Sequence, residues 1–258
     1  VKFSVVIPAH NEAGSIAGTV TALVLKLSAE AIDHEILVVN DNSKDETVSI
    51  LRDLQSKYPS VRHVNNKPPN GFGFAVRCGL ENFTGDAVAV YMADASDTPE
   101  DLVRFIRTME RTGVDCVFGT RFASESKVVD YPFPKLVLNR MANLFIQVLF
   151  GLRYNDVTNA FKLYRKHVIS GLKPFLSHHF NLTVELPLKS IVRGFSYQVV
   201  PNSWYNRKSG ESKLKIKEMG SRYLFIVLYC LIEKWLSRGD YLPKDQLLLT
   251  GFQATNDA

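Results

Sequence analysis

Ala87-Val-Ala-Val-Tyr-Met-Ala-Asp-Ala-Ser-Asp-Thr-Pro-Glu-Asp-Leu102 is an apolar run that stops in a cluster of carboxylates and restarts as a helix. Ala87 to Met92 is too short and too rich in β-branched residues for a helix, and reads as a buried strand. Pro99 stands where a helix would begin, with Glu100 and Asp101 in its first turn. Asp94, Ser96 and Asp97 therefore gather at the C-terminal edge of a central strand, where open α/β sheets bind ligands. No Lys or Arg lies between Tyr91 and Val103 to neutralise them. A hard divalent cation would do so and would also clamp phosphates. The other reading is a helix cap, with Asp97 or Thr98 capping and Asp94 opening the loop. Both readings stand at this point.

Working outward, strands and helices alternate. Phe3 to Ile7, Glu35 to Val39, Val61 to Val64 and Val114 to Gly119 read as strands. Glu12 to Leu27, Asp45 to Lys57, Asn70 to Phe83 and the segment from Pro99 to about Arg111 read as helices. This alternation predicts an α/β fold, a mostly parallel sheet with helices on both faces. Three strong strands end in polar loops, Pro8-Ala-His-Asn-Glu12, Asn40-Asp-Asn-Ser43 and Ala93-Asp-Ala-Ser-Asp97. A parallel sheet brings those loops to one edge, so Glu12, Asp41 and Asp94 are expected to converge.

The second half is less regular. Ser124 to Pro134 reads as a loop and Pro134 to Phe150 as a helix, apolar at Leu136, Met141, Leu144, Phe145 and Leu149. A short strand at Phe161 to Tyr164, a helix at Thr183 to Val192 and a strand at Tyr197 to Val200 follow. Trp204 to Lys213 is a basic loop, and Ile216 to Ser237 a long helix with an apolar centre from Tyr223 to Ile232. That centre is shorter than the roughly 20 residues a membrane span needs. Flanked by Lys213, Lys215, Lys217, Arg222, Lys234 and Arg238, it reads either as an interfacial anchor on anionic lipid or as a core helix with a basic face.

The 258 residues suit one large domain or two small ones, and the 46% hydrophobic content supports a sizeable core. A net charge of +5 favours anionic partners. Three cysteines without a CxxC spacing point to a reducing compartment. Val1 to Ile7 runs straight into a strand pattern, so no signal peptide is read, and the sequons at Asn82 and Asn181 are taken as chance. A GxGxxG turn after the first strand is absent, as is a Walker A loop, and Asn70-Gly-Phe-Gly73 is too sparse to replace them. His178-His179 lacks acidic or Cys partners at ligand spacing and reads as a loop or cap. Trp204 and Tyr205 either line an entrance or pack.

The motifs as a set say more. Val5-Val-Ile-Pro-Ala-His-Asn-Glu12, Val38-Val-Asn-Asp-Asn-Ser-Lys-Asp45, Met92-Ala-Asp-Ala-Ser-Asp-Thr-Pro-Glu100, Gly119-Thr-Arg-Phe122, Asn139-Arg140, Asp156-Val-Thr-Asn-Ala-Phe-Lys162 and Arg207-Lys-Ser-Gly-Glu-Ser-Lys-Leu214 occur in this order. Together they resemble the inverting family-2 glycosyltransferases with a GT-A fold, and within them the polyprenyl-phosphate sugar synthases such as dolichol-phosphate mannose synthase. The resemblance covers roughly residues 2 to 238.

The resemblance implies transfer of a hexose from a nucleotide-diphosphate sugar, GDP-mannose or UDP-hexose, to a dolichyl or undecaprenyl phosphate with inversion. It implies a domain over residues 1–213, an amphipathic, membrane-interfacial helix over 214–238 and a tail over 239–258. Pro8, His10, Glu12 and Asp41 match nucleotide-binding positions, and Asp41 the base-reading carboxylate. Asp94 matches the last Asp of the family's metal-binding DxD, and Ser96 a further ligand position, for Mg²⁺ or Mn²⁺. The sequence departs from the family at Met92, which replaces the first Asp, and at His10 and Asn40, where Tyr and Asp are common. Arg121, Arg140, Asn143, Arg207 and Lys213 match acceptor-phosphate positions, and Asp94, Arg121 and Arg207 would carry catalysis. A phosphate acceptor is already anionic and needs arginines rather than a base. The implied partners are the nucleotide sugar, the polyprenyl phosphate, a membrane surface and a membrane-anchoring subunit, with no nucleic acid. The implied location is cytoplasmic, peripheral on a membrane. Two alternatives remain. One is transfer to a sugar hydroxyl, with Asp156 or Glu185 as base. The other is a degenerate nucleotide-sugar-binding subunit, which Met92 keeps open.

Overall fold

The computed structural model describes residues 1–206, 216–237 and 239–242, with the side chains of 216–219 left aside. The first half alternates β1 (Phe3–Ala9), α1 (Ile16–Ala29), β2 (His34–Asn40), α2 (Thr47–Lys57), β3 (Val61–Asn65), α3 (Phe72–Asn82), β4 (Ala87–Val90), α4 (Pro99–Thr112) and β5 (Cys116–Thr120). The second half adds β6 (Val128–Val129), α5 (Phe133–Phe150), β7 (Lys162–Arg165), α6 (Lys166–Gly171), α7 (Leu182–Val192), β8 (Tyr197–Pro201), β9 (Trp204–Tyr205) and α8 (Ile216–Leu236).

Among the described residues the main sheet runs β3-β2-β1-β4-β7-β5-β8. Only β7 is antiparallel to its neighbours. Alternate strand residues enter opposite cores, as the two-residue period requires. Val5, Ile7, Ile36, Val38, Ala87 and Ala89 pack with α1, α2 and α4 on one face. Val6, Leu37, Val39, Val88 and Val90 pack with α3, α5, α6, α7 and α8 on the other. A sheet covered on both faces explains strands that read as unbroken apolar runs.

Pro8, expected to stop the first strand, lies inside β1. Val6 carbonyl faces β4, where it accepts from the Tyr91 amide. Pro8 shares that side, but β4 has ended at Val90, so its missing N–H costs no ladder bond.

The antiparallel β7 matters for the site. Its first residue, Lys162, pairs with Val90 of β4 and Phe118 of β5. The loop before it therefore lies over the edge where β4 and β5 end. β6 and β9 form a separate parallel pair, Val128 with Trp204 and Val129 with Tyr205. Two-residue strands inside polar loops carry no periodic signal, which is why the sequence reads both as loop.

Candidate active site

The loops after β1 and β2 are stitched into one unit. Asn11 amide donates to Ser43 Oγ at 3.0 Å, Lys44 amide to Asn11 Oδ1 at 2.7 Å, and Glu12 amide to Thr47 Oγ1 at 2.9 Å. His10 Nδ1–H donates to the Asp41 carbonyl at 2.6 Å. Asp41 itself is buried, and its carboxylate accepts from Asn66, Asn70 and the Gly71 amide. Pro8, His10, Glu12 and Asp41 thus share the expected edge. Asn66 and Asn70 were not singled out from sequence. Their only sequence signal was the Asn70-Gly71 turn.

After β4, Met92, Asp94, Ser96 and Asp97 all line one cavity. Asp94 Oδ1 accepts the Ser96 amide at 3.1 Å, and Ala95 between them takes a positive φ of 57°. The α4 cap is Thr98, whose hydroxyl accepts the Asp101 amide at 3.2 Å. The capping role that the sequence offered Asp97 is filled by its neighbour. Asp97 is buried, and burial, reinforced by the charge of Asp94, pushes its carboxyl up to about 8. Among the described residues no three His, Cys, Asp or Glu side chains converge as a metal cage. Asp94 and Ser96, the positions expected to hold a metal, both line the cavity and offer hard oxygen, one carboxylate and one hydroxyl. Such a set fits an Mg²⁺ or Mn²⁺ ion carried mainly by diphosphate and water.

Arg121 closes β5 and is 8% exposed. Its Nε and Nη2 donate to Asp156 Oδ2 and Oδ1 at 2.8 and 2.7 Å, and its amide donates to Oδ2 at 2.9 Å. The bidentate pair fixes the guanidinium plane at the cavity wall. Removing either partner would leave a buried charge unpaired, a loss of about 3–5 kcal/mol. Arg140 lies exposed, its guanidinium 4.5 Å from the centre of the Phe122 ring. Asn143 lies beneath the cavity, 1% exposed. It donates to Asn139 and Thr158, and accepts the Thr158 amide. Asn139 and Thr158 are the lining residues that Asn143 holds. Arg207 and Lys213 lie outside the described residues. The chain approaches them from β9, where the Tyr205 amide donates to the Ser96 carbonyl at 3.0 Å.

The two carboxylates offered as hydroxyl-activating bases are both committed. Asp156 is fully buried on Arg121. Glu185 is fully buried, accepting from the Leu176 and Ser177 amides and from Lys189 Nζ at 2.6 Å. His178 stacks on Phe74, and His179 accepts the Leu182 amide at the start of α7. That is the loop role expected of the pair. A Cβ on Gly73 would come within 2.3 Å of the His178 backbone, so α3 approaches this loop only because position 73 is glycine.

The cavity measures about 530 Å³. Sheet-edge loops supply Asp94, Asp97, Arg121 and Asn159, while α5 adds Lys135 and Asn139. Its remaining walls are mostly apolar, with Leu138, Ala142, Phe145 and Ile146 from α5 and Tyr223, Leu224 and Val227 from α8. Trp204 also lines it, against Tyr131. Lys135 and the apolar walls were missed from sequence, because they come from helices distant in the chain. The carbonyls of Val157 and of the lining residues Asn159 and Thr183 converge on the buried Lys162 ammonium, which burial lowers to about 7.

Residues 4–172 match the family described as Glycosyl transferase family 2. The chain is 30% identical over 216 residues to the polyprenol monophosphomannose synthase of Mycolicibacterium smegmatis, covering 81% of this chain and 80% of that protein. It is 30% identical over 222 residues to the dolichol-phosphate mannosyltransferase of Pyrococcus furiosus, covering 84% of this chain and 60% of that one. In fold it is similar to glucosyl-3-phosphoglycerate synthase from Mycobacterium tuberculosis, solved with Mn²⁺, UDP and glucosyl-3-phosphoglycerate. The TM-score is 0.67 at 18% identity, over 90% of this chain and 79% of that one.

Proposed function

This chain belongs to glycosyl transferase family 2, and from that membership we propose that it moves a hexose from a nucleoside diphosphate sugar to a polyprenyl phosphate, with inversion. The observation that carries this reading is the two-natured cavity. Asp94 and Arg121 at the sheet edge, with Lys135 of α5, adjoin apolar walls from α5 and α8. A lipid phosphate has the same two natures. Its headgroup suits Arg121 and Lys135, and its isoprenoid chain suits the helix walls. The names of the two curated relatives support the same acceptor class.

Asp41 would meet the base, beside Pro8, His10 and Glu12. Asp94 and Ser96 would hold the metal, which when bound supplies positive charge to the leaving diphosphate. Arg121 would orient the acceptor oxygen toward the anomeric carbon. Arg140 and Asn143 would support that wall, and Arg207 and Lys213 would complete the phosphate site. The anionic acceptor attacks without a base. The burial of Asp156 and Glu185 in ion pairs favours this over a hydroxyl acceptor.

The same face supports a membrane location. Among the described residues no helix is long and apolar enough to cross a membrane. Yet α5 exposes Phe133, Met141, Leu144 and Val148, and α8 exposes Phe225, Ile232, Trp235 and Leu236. Lys135, Arg140 and Lys234 border this surface, and α5 carries no acidic residue. An anionic bilayer surface matches both properties. An anchoring subunit would be the alternative cover.

The test is incubation of the purified chain with UDP- and GDP-hexoses and a short polyprenyl phosphate, with products identified by mass. A glycosyl phosphopolyprenol is the expected product. Equal transfer to the free polyprenol would move the reading to a hydroxyl acceptor, and no transfer from any donor to a non-catalytic binding subunit.

A further inference from the structure

Asp41 ends β2 with its side chain clasped by the segment leading into α3. Its Oδ1 accepts two amides, Asn66 Nδ2 at 2.8 Å and Asn70 Nδ2 at 2.9 Å. Its Oδ2 accepts the Gly71 amide at 2.8 Å. Asn66 is oriented by a second acceptor, the Pro69 carbonyl at 3.4 Å, and by its own amide on the Asn40 carbonyl at 2.8 Å. Gly71 takes φ +138°, a backbone region that favours glycine, and so aims its N–H at Oδ2. An ionised carboxylate has about four acceptor sites. Two on Oδ1 and one on Oδ2 are occupied, which leaves one, on Oδ2.

We infer that Asn66 and Asn70 are specificity residues, which fill Asp41 Oδ1 and so select a donor base offering a single ring N–H, the imide edge of uracil, against guanine. This rests on the reading of Asp41 as the group that meets the base. Guanine presents N1–H and N2–H side by side, a fork that needs both carboxylate oxygens. With Oδ1 filled, it binds only by displacing an asparagine from a charged acceptor. Uracil presents N3–H between two carbonyls and needs Oδ2 alone. Adenine and cytosine set a ring-nitrogen lone pair beside their amino group, against the carboxylate. Thymine shares the imide edge, so a thymidine nucleotide is the other source of the same chemistry.

Calorimetric titration of the intact chain with UDP, TDP and GDP, all with Mg²⁺, tests this. UDP or TDP should bind at least about tenfold more tightly than GDP. Comparison of UDP with TDP identifies which imide the site takes. Asn70→Ala, at an exposed position, should release one site on Oδ1 and narrow the ratio by strengthening GDP, with UDP nearly unchanged. Asn66→Ala/Asn70→Ala should narrow it further. GDP binding as tightly as UDP in the wild type, or an unmoved ratio in both variants, overturns the inference. If Asp41→Ala leaves every nucleotide's affinity unchanged, the assignment of Asp41 to the base falls, and the inference with it.

Discussion

Glu35 and Arg121 show how differently charged groups are used at the two edges of the sheet. Glu35 sits near the start of β2, at the edge away from the cavity, 4% exposed. It accepts from Ser4 Oγ at 2.5 Å, from Arg62 Nε at 3.0 Å and from the Thr84 amide. Burial raises its carboxyl, but these bonds outweigh burial and hold it at about 2. The folded value lies below its ordinary value of 4.5. Its stabilisation is therefore complete above that value and drains away as pH falls toward about 2. Glu35→Gln should be less stable than wild type at pH 6, with the gap closing between pH 4.5 and about 2. Urea melts of both proteins across that range check it, and a gap independent of pH would refute it. At the cavity edge, Arg121 and Asp156 are instead held as a fixed pair, so the wall keeps its shape and its charge.

At the scale of elements, α4 shows how local signals isolate function from structure. Thr98 caps it, Pro99 begins it, Glu100 and Asp101 face its N-terminal dipole, and Gly113 closes it in a left-handed conformation at φ +72°. The cap therefore costs the cavity none of its carboxylates. Thr98→Ala should lower stability by about 1 kcal/mol, seen as a shifted urea midpoint with an unchanged slope. Nucleotide binding should persist, whereas a cap shared with the site would show both losses together. The helix α5 behaves in the opposite way. Its inner residues are Asn143, Ile146 and Phe150, and much of its apolar surface faces outward. Helix α8 is held to the body by the buried pair of Arg193 and Glu233, with Nε to Oε1 at 2.7 Å. Its stripe of Ile226, Val227, Cys230 and Leu231 joins the core. The sequence offered anchor and core helix as rivals for this segment, and the described part of α8 packs one face into the core while Phe225, Leu228 and Ile232 stay exposed.

For the whole molecule, most of the exposed large apolar side chains among the described residues lie on α5 and α8, more than an ordinary soluble surface gathers in one place. Met141 is 64% and Val148 74% exposed, so neither contributes much to folding. If this surface meets anionic lipid, the chain should sediment with anionic vesicles and be released as salt rises, because each nearby Lys or Arg contributes about 1 kcal/mol that ions screen. Met141→Glu/Val148→Glu should keep the wild-type melting temperature and lose vesicle binding. Wild type that stays in solution at low salt would refute the membrane reading.

Much of this architecture was legible in the sequence, because strand and helix periods are local and each polar loop follows its own strand. The alternation, the shared edge of Glu12, Asp41 and Asp94, and the ordered family motifs all follow from residues close in the chain. What tertiary structure decided was which polar groups are already spent. Asp156 meets Arg121 across 35 residues, and Asp41 meets Asn66, Asn70 and Gly71 across 25 to 30. A hydrogen-bond partner is a property of space, and no spacing rule reaches that far. The apolar positions of α5 carry the same lesson. A stripe of Met, Leu and Val has one period whether protein or lipid will cover it, and only the packing of the other helices leaves that stripe outside.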